Sequence, residues 1–331
     1  MNHGIRRCER HGRDPDQDAY RPPVRWSHRG TELRRDRGGA ARRPGAAVAD
    51  PSTWRDLHRL AQAELGSLEA WFVLERASGY DRAALVPRLE ERVPARTEAF
   101  VRTMVERRRK GEPLQYVLGI WAFRRLELVV DRRVLIPRPE TEMVVEVALD
   151  ELRRLDPGHP LAVDLGTGSG AIALSVALEV PAAKVWGTDR SEDALAVARA
   201  NLSGMGARVA TRVRLASGDW FEALPPELKG WVDLIVANPP YIGEGEPLPP
   251  EVAAWEPEGA LVAGPTGLEA VDEILEEAPA WLRRPGVVVI EIAPHHADRA
   301  VALATSAGFA TADVRPDLSG RPRALVARVE P

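Results

Sequence analysis

Cysteine is nearly absent from the chain, since Cys8 is the one cysteine among 331 residues. A single cysteine cannot close an intramolecular disulfide, so a disulfide-stabilised scaffold is excluded and a reducing compartment is favoured. The sequence also lacks an apolar run of about 18 residues, the length that a transmembrane helix needs. Its first residues lack the apolar segment of a secretory signal. We therefore expect a cytoplasmic protein without a membrane partner.

Positive charge is in short supply over most of the chain. The formal net charge is −4, and residues 51–331 alone carry 33 basic and 42 acidic side chains, a balance of −9. Residues 1–50 differ, with 12 Arg, no Lys and 7 acidic residues. An acidic body disfavours non-specific binding to nucleic acids, which relies on clustered basic residues. No direct nucleic-acid binding is therefore expected.

Residues 1–50 show no apolar periodicity and are rich in Arg, Gly, Pro and Asp. This composition predicts a disordered Arg-rich extension, because it offers too little apolar surface to bury a core. A nucleic-acid-binding arm is the alternative, but acidic residues interrupt the basic ones.

A chain that begins at Ser52 is expected to keep both the melting temperature and the activity of the full-length protein, because the removed residues cannot bury a core. Calorimetry and an activity assay on the two proteins side by side measure this directly. A large loss of either property would show that the extension belongs to the fold or to the site.

Three amphipathic stretches follow, over residues 52–66, 67–79 and 97–111. Ser67 and Thr97 are the predicted N-caps of the second and third helices, which are predicted to end at Gly79 and Gly111. Helices of this length pack as a small bundle, so a helical domain is predicted over residues 51–113. Beyond it, "RLELVV" and "VLI" are predicted strands joined by a turn at "DRR", which gives a β-hairpin linker within residues 114–136.

From Leu161 onward, apolar strands alternate with helical stretches. Strands are predicted over residues 161–165, 184–189, 213–217, 232–238 and 287–292, and the C-terminal tail adds two more. Strands separated by helices form a parallel, doubly wound sheet. We therefore predict an α/β, Rossmann-like, seven-stranded domain over residues 137–331, with ligands bound at the carboxyl ends of its strands.

A glycine-rich loop follows the first strand of this domain, in "VDLGTGSGAIALSVAL". Glycines there permit a tight turn and close approach to a ligand, and phosphate binding is one interpretation. Asp164 argues against it, because its carboxylate would repel a pyrophosphate, and the Gly-Lys-Ser/Thr ending of a P-loop is missing. S-adenosylmethionine, which carries a cationic centre and no phosphate, fits better. The candidate cofactor residues are Asp164, Gly166, Thr167, Gly168, Ser169 and Gly170.

Polar residues also end the second and third strands. Asp189 lies 19 residues after Gly170, where a carboxylate can accept hydrogen bonds from both hydroxyls of a ribose. The alternative is a cap of the following helix, a role that suits Ser191 as well. Asp219 could accept a hydrogen bond from an adenine amine and Trp220 could cover the base. The alternative for this pair is a core tryptophan beside a turn.

The fourth strand runs into "NPPYIG", residues 238–243. Pro239 and Pro240 end the backbone pairing there and hold Asn238 at the strand end. An amide nitrogen is a poor nucleophile, and Asn238 Oδ1 together with the Pro239 carbonyl could accept both of its N–H bonds. Tyr241 could stack on the planar group. Catalytic roles are predicted for Asn238, Pro239 and Tyr241. Substrate binding is predicted for these three and Pro240, with Asn238 also touching the cofactor and no metal involved.

These motifs resemble the release factor glutamine methyltransferase family (PrmC/HemK). The resemblance rests on "GEPLQYVLG", "VLIPRPETE", "GDWF", "NPPYI" and "DLSGRPR", in that order between Ser52 and the C-terminus. It implies a class I methyltransferase domain preceded by a helical domain that recognises the release factor. It also implies methyl transfer from S-adenosylmethionine to the glutamine of a Gly-Gly-Gln loop, with S-adenosylhomocysteine as product.

The sequence departs from the family pattern at Ala263, Thr266, Ala293 and His296, none of which falls on the predicted transfer machinery. Three other functions stay open at this point. One is an adenine-N6 methyltransferase acting on DNA or RNA, which would need a basic target-recognition domain and a base-flipping path. The others are a ribosomal-protein glutamine methyltransferase and a protein that binds S-adenosylmethionine without catalysis.

Overall fold

The computed structural model describes residues 52–331. The extension predicted over residues 1–50 lies outside the described residues. Within the described part of the chain, no helix is both long and apolar enough to cross a membrane.

Five helices begin the described chain: α1 (Trp54–Leu65), α2 (Ser67–Ser78), α3 (Arg82–Leu85), α4 (Ala95–Arg109) and α5 (Leu114–Leu118). They bury a common apolar cluster that includes Leu57, Leu74, Leu85 and Met104. Gly79 ends α2 in the left-handed conformation, as predicted. The bundle is held by this cluster, because the short helices have little stability of their own.

Two predicted N-caps are wrong. Helix α2 begins at Ser67 itself, with Gly66 in the capping position. Helix α4 begins at Ala95, two residues before Thr97, because the Pro94 carbonyl already accepts hydrogen bonds from the backbone N–H groups of Thr97 and Glu98 at 2.8 and 3.0 Å. Proline fixes φ near the value that this position needs, so the helix starts there.

The predicted hairpin turn is also wrong. Strands β1 (Ile120–Phe123) and β2 (Leu126–Val129) pair with each other, and Arg124 and Arg125 form the turn. Arg124 has a positive φ of 49° and its guanidinium binds Glu179 and Glu146, at 2.7 and 2.6 Å. These distant ion pairs fix the turn at Arg124 and Arg125 instead of at the predicted "DRR". Residues 134–136 pair with no strand within residues 52–331.

The remaining strands include the seven that form the central sheet: β3 (Leu161–Leu165), β4 (Lys184–Asp189), β5 (Val213–Ser217), β6 (Val232–Ala237), β9 (Leu282–Glu291), β10 (Thr311–Pro316) and β11 (Pro322–Val329). Their order is β5-β4-β3-β6-β9-β11-β10. Strand β11 runs antiparallel to both neighbours, whereas β5, β4, β3, β6 and β9 are parallel. This confirms the predicted seven-stranded Rossmann-like domain.

Helices cover both faces of the sheet: α6 (Pro139–Leu155), α7 (Ala171–Glu179), α8 (Glu192–Gly204), α9 (Ala207–Ala210), α11 (Glu269–Trp281) and α12 (Ala297–Ser306). Alternate residues of β6 enter opposite cores, with Leu234 and Val236 in one and Ile235 and Ala237 in the other. A parallel sheet buried on both faces requires such continuous apolar strands. Beyond β6 lie a short pair, β7 (Ile242–Gly243) and β8 (Val262–Gly264), and α10 (Pro250–Trp255).

Candidate active site

A cavity of about 420 Å³ opens at the carboxyl ends of β3, β4, β5 and β6. Ten of the predicted site residues line it: Gly166, Thr167, Gly168, Ser169, Asp189, Asp219, Trp220, Asn238, Pro239 and Pro240. Three predicted residues, Asp164, Gly170 and Tyr241, are not on its wall. The crossover in strand order between β3 and β6 places the cavity where open α/β sheets bind ligands.

Asp164 lies beneath the glycine loop and supports it. Its side chain is completely buried, and Oδ2 accepts hydrogen bonds from Thr167 Oγ1 at 2.6 Å and from the Ala173 N–H at 3.0 Å. Burial raises the pKa of this carboxyl group to about 7. Asp164 therefore joins the glycine loop to the first turn of α7. This loop lies between the Asp164 carboxyl group and the cavity.

The loop itself has the conformation that glycine permits. Gly166 and Gly168 have φ values of 70° and 55°, which side chains rarely adopt. A Cβ on Gly166 would also lie 3.4 Å from the Trp220 ring. The backbone is thus exposed to the cavity, in keeping with close contact to a nucleoside ligand.

Gly187 on β4 is small for a different reason. A Cβ there would lie 2.9 Å from both Leu215 Cδ2 and Thr167 Oγ1. We expect Gly187→Ala to lower the free energy of unfolding by about 1–3 kcal/mol, the usual range for overpacking. Chemical denaturation measures this, with Gly259→Ala as control, since a Cβ there meets only the end of the Arg190 side chain. Equal stability of the two variants would contradict the expectation.

Asp189 lies at the cavity wall and is not the cap of the following helix, a position that Ser191 occupies. Oδ2 accepts a hydrogen bond from the Gly168 N–H and Oδ1 from the Ser191 N–H, each at 2.9 Å. Ser191 Oγ in turn accepts from the Ala194 N–H and caps α8. Burial raises the pKa of Asp189. The carboxylate is therefore fixed at the cavity wall, and each oxygen keeps a second lone pair for a ligand hydroxyl.

Trp220 is held by a residue that the sequence analysis did not identify. Its Nε1 donates a hydrogen bond to Glu273 Oε2 at 2.9 Å. The ring packs partly against the apolar core and partly borders the cavity, with a positive φ of 36° at Trp220. Glu273, from α11, thus holds the Trp220 ring at the cavity wall, which Asp219 also lines.

Asn238 and Tyr241, two of the predicted substrate-binding residues, are connected by a chain of buried and partly buried hydrogen bonds. Asn238 Nδ2 donates to Thr141 Oγ1 at 3.1 Å, and Thr141 Oγ1 donates to Glu291 Oε2 at 2.7 Å. The Tyr241 hydroxyl donates to the other oxygen, Glu291 Oε1, at 3.4 Å. Burial raises the pKa of Tyr241 and of Glu291, and the charge of Arg323 opposes the shift at Glu291. One carboxylate therefore positions both ends of the "NPPY" segment.

This hydrogen-bond chain fixes the orientation of the Asn238 amide. Because the Thr141 hydroxyl proton is directed to Glu291, Thr141 can offer only a lone pair to Asn238. Asn238 must then present its NH₂ group to Thr141. Asn238 lines the cavity, and its oxygen, Oδ1, is left to accept a hydrogen bond from a ligand.

A second buried carboxylate joins the segment before α6 to the loop after α10. Glu256 accepts a hydrogen bond from the Ile136 N–H at 3.0 Å and forms an ion pair with Arg138. Pro137 on one side and Pro257 on the other border the cavity. This contact was not predicted, because the local sequence does not show which residues 118 or 120 positions apart will meet.

Two family models match parts of the chain. Residues 148–249 match the family described as "Methyltransferase small domain", and residues 57–119 match "PrmC N-terminal domain". Together with the seven-stranded sheet, these matches define the chain as a class I S-adenosylmethionine-dependent methyltransferase.

The curated relatives narrow the class to a family. A release factor glutamine methyltransferase of Burkholderia pseudomallei is 39% identical over 84% of this chain and 97% of the relative. Relatives of the same name from Streptomyces coelicolor and Bordetella pertussis are 45% and 42% identical, over 68% and 79% of this chain and 79% and 94% of their own. The chain belongs to the release factor glutamine methyltransferase family.

Proposed function

We infer that the protein methylates the side-chain amide nitrogen (N5) of the glutamine in the Gly-Gly-Gln motif of peptide chain release factors. The observation that carries this is the orientation of Asn238, which lines the cavity and whose Nδ2 is bound by Thr141, so that Oδ1 is left to accept a hydrogen bond from the substrate. S-adenosylmethionine supplies an activated methyl group on its sulfonium when bound, and S-adenosylhomocysteine is the product.

The chain's own task is to bind and orient a planar amide. Asn238 Oδ1 and the Pro239 carbonyl accept the two N–H groups of the substrate glutamine, which places its nitrogen toward the cofactor cavity. Pro240 holds this short segment rigid. Tyr241 is anchored through its hydroxyl to Glu291, and its ring would stack on the amide plane although the residue does not line the cavity itself. Glu291 is engaged by Thr141 and Tyr241 and acts as a positioning residue.

The residues that line the cavity would bind different parts of the cofactor. The backbone of residues 166–170 would approach the amino-acid part of S-adenosylmethionine. Asp189 would accept hydrogen bonds from the ribose hydroxyls and Asp219 from the adenine amine, and Trp220 would cover the base. Asp164 contributes indirectly, through its hydrogen bond to Thr167.

The helical part of the chain is proposed to recognise the release factor. In this proposal residues 51–113 form the recognition domain, residues 114–136 link it to the rest, and residues 137–331 form the methyltransferase domain. Since release factors act on cytoplasmic ribosomes, the site of action is the cytoplasm.

Methyl transfer from labelled S-adenosylmethionine tests the acceptor. Purified release factor, the same factor with the Gly-Gly-Gln glutamine replaced by alanine, a ribosomal-protein mixture and DNA are assayed in parallel. We expect label only on the release factor that keeps the Gly-Gly-Gln glutamine. Label on DNA would indicate adenine-N6 transfer, and label on ribosomal proteins but not on the release factor would indicate a different glutamine substrate.

Thr141 offers a test of the positioning chain. Thr141→Val removes the hydroxyl and keeps the shape, so we expect kcat to fall about 10- to 100-fold, the order of loss caused by a misplaced catalytic group. The KM for release factor and the affinity for S-adenosylmethionine should change little. Thr141→Ser keeps the hydroxyl and should restore most of the rate. Equal kcat values for the Val and Ser variants would show that the hydroxyl does not orient Asn238.

A further inference from the structure

A cluster of metal-ligating side chains lies outside the cofactor cavity. It consists of Glu246, in the loop after β7, and of His295 and His296, in the turn between β9 and α12. One carboxylate oxygen and two imidazole nitrogens, one from each residue, all lie within 4.8 Å of one another. None of the three residues borders the cavity.

His296 has a buried nitrogen that the fold does not satisfy. The residue is only 4% exposed, and its Nε2 has no hydrogen-bond partner among the described residues. A buried polar group without a partner is costly, and it commonly indicates a bound water or ion.

Glu246 is already oriented by the backbone. Its Oε1 accepts a hydrogen bond from the Gly243 N–H at 2.9 Å, which leaves the second oxygen for a cation. Ligating carboxylates are typically held by such a bond. The His295 ring lies 4.0 Å from the His296 ring, centroid to centroid. Glu246 and His295 are exposed, so small rotations of their side chains can bring the three ligands together.

Two imidazoles and one carboxylate are a ligand set that suits Zn²⁺, with water in the remaining position. We propose that Glu246, His295 and His296 bind one zinc ion, which joins the loop after Tyr241 to the turn after β9. His296 already packs close to Gly267, where a Cβ would lie 3.2 Å from His296 Cε1 and 2.7 Å from the Tyr241 carbonyl. The ion thus stabilises the segment that supports the acceptor residues.

Zinc binding to the full-length protein, first stripped with a chelator, tests the proposal. Titration calorimetry with Zn²⁺ alone should detect a site that weakens about tenfold or more in Glu246→Gln/His296→Gln. The control is His159→Gln, an exposed histidine outside the cluster, which should bind zinc as the wild type does. Because residues 1–51 contain His3, Cys8, His11 and His28, the difference between the variants defines the site.

Thermal melting supplies the second measurement. Zinc should raise the melting temperature of the wild type and of His159→Gln, because an ion that binds only the folded state stabilises it. The shift should disappear in His295→Ala, whose exposed position keeps the fold intact, as well as in the double variant. Wild-type zinc affinity and an equal shift in these variants would overturn the proposal, and so would the absence of zinc binding by the wild type.

Discussion

Asn238→Ala is expected to reduce methyl transfer to the release factor by about 10²–10³, the usual loss when one positioned catalytic hydrogen-bonding group is removed. The variant should remain folded, because Asn238 lies at the end of β6 and is only partly buried. Thr141 loses one hydrogen-bond donor, a change that costs about 1 kcal/mol. The rate is measured at saturating S-adenosylmethionine, so that a weaker cofactor complex does not contribute.

A second substitution, Asn238→Asp, tests how the orientation and the charge of this side chain affect the rate. Asn238→Asp keeps the shape and an acceptor oxygen but cannot donate to Thr141, whose proton is directed to Glu291. It also adds a negative charge near the sulfonium, which stabilises the ground state of the cofactor. We expect slow transfer with preserved cofactor affinity. Turnover of Asn238→Ala close to that of the wild type, with both substrates saturating, would contradict the proposed binding of the acceptor amide.

Asp189→Ala is expected to raise the dissociation constant of S-adenosylmethionine about 10²- to 10⁴-fold. Two hydrogen bonds from ribose hydroxyls to a charged carboxylate contribute roughly 1.5–3 kcal/mol each. The effect on folding should be smaller, about 1–2 kcal/mol, although it is not zero. Asp189 also accepts from the Gly168 and Ser191 N–H groups, and these donors would lose their partner.

Calorimetric titration with S-adenosylmethionine measures the affinity, and denaturation of the same samples measures the stability. Asp193→Ala is the matched control, because Asp193 lies exposed in the first turn of α8 and its removal changes the charge equally. Its affinity should equal that of the wild type. If Asp189→Ala also binds normally, Asp189 only supports the glycine loop.

The strand ends explain why much of the cavity could be predicted. Asp189, Asp219 and Asn238 each follow an apolar strand in a βα alternation, and the carboxyl ends of parallel strands meet at one edge. The same rule applied to the fifth parallel strand would have found Glu291, which ends β9. Thr141 had no such signal beyond its place in "VLIPRPETE", since it lies at the start of a helix.

Contacts that the sequence pattern does not show account for the errors. Arg124 turns the chain because Glu179 and Glu146 bind it, and neither partner is visible in the local pattern. Asp164 was predicted to face the ligand from its position before the glycines. Its depth beneath the loop depends on the hydrogen bonds to Thr167 and Ala173, which only the packed structure defines.

The residues that position the acceptor amide are far apart along the chain. Thr141 binds Asn238 across 97 positions and Glu291 across 150, and Arg323, whose charge acts on Glu291, lies on β11, the last strand. Contacts between residues so far apart in sequence form late, because closing long loops costs conformational entropy before the contacts can stabilise the chain. We therefore expect the acceptor site to be completed late in folding, together with the central sheet from β3 to β11.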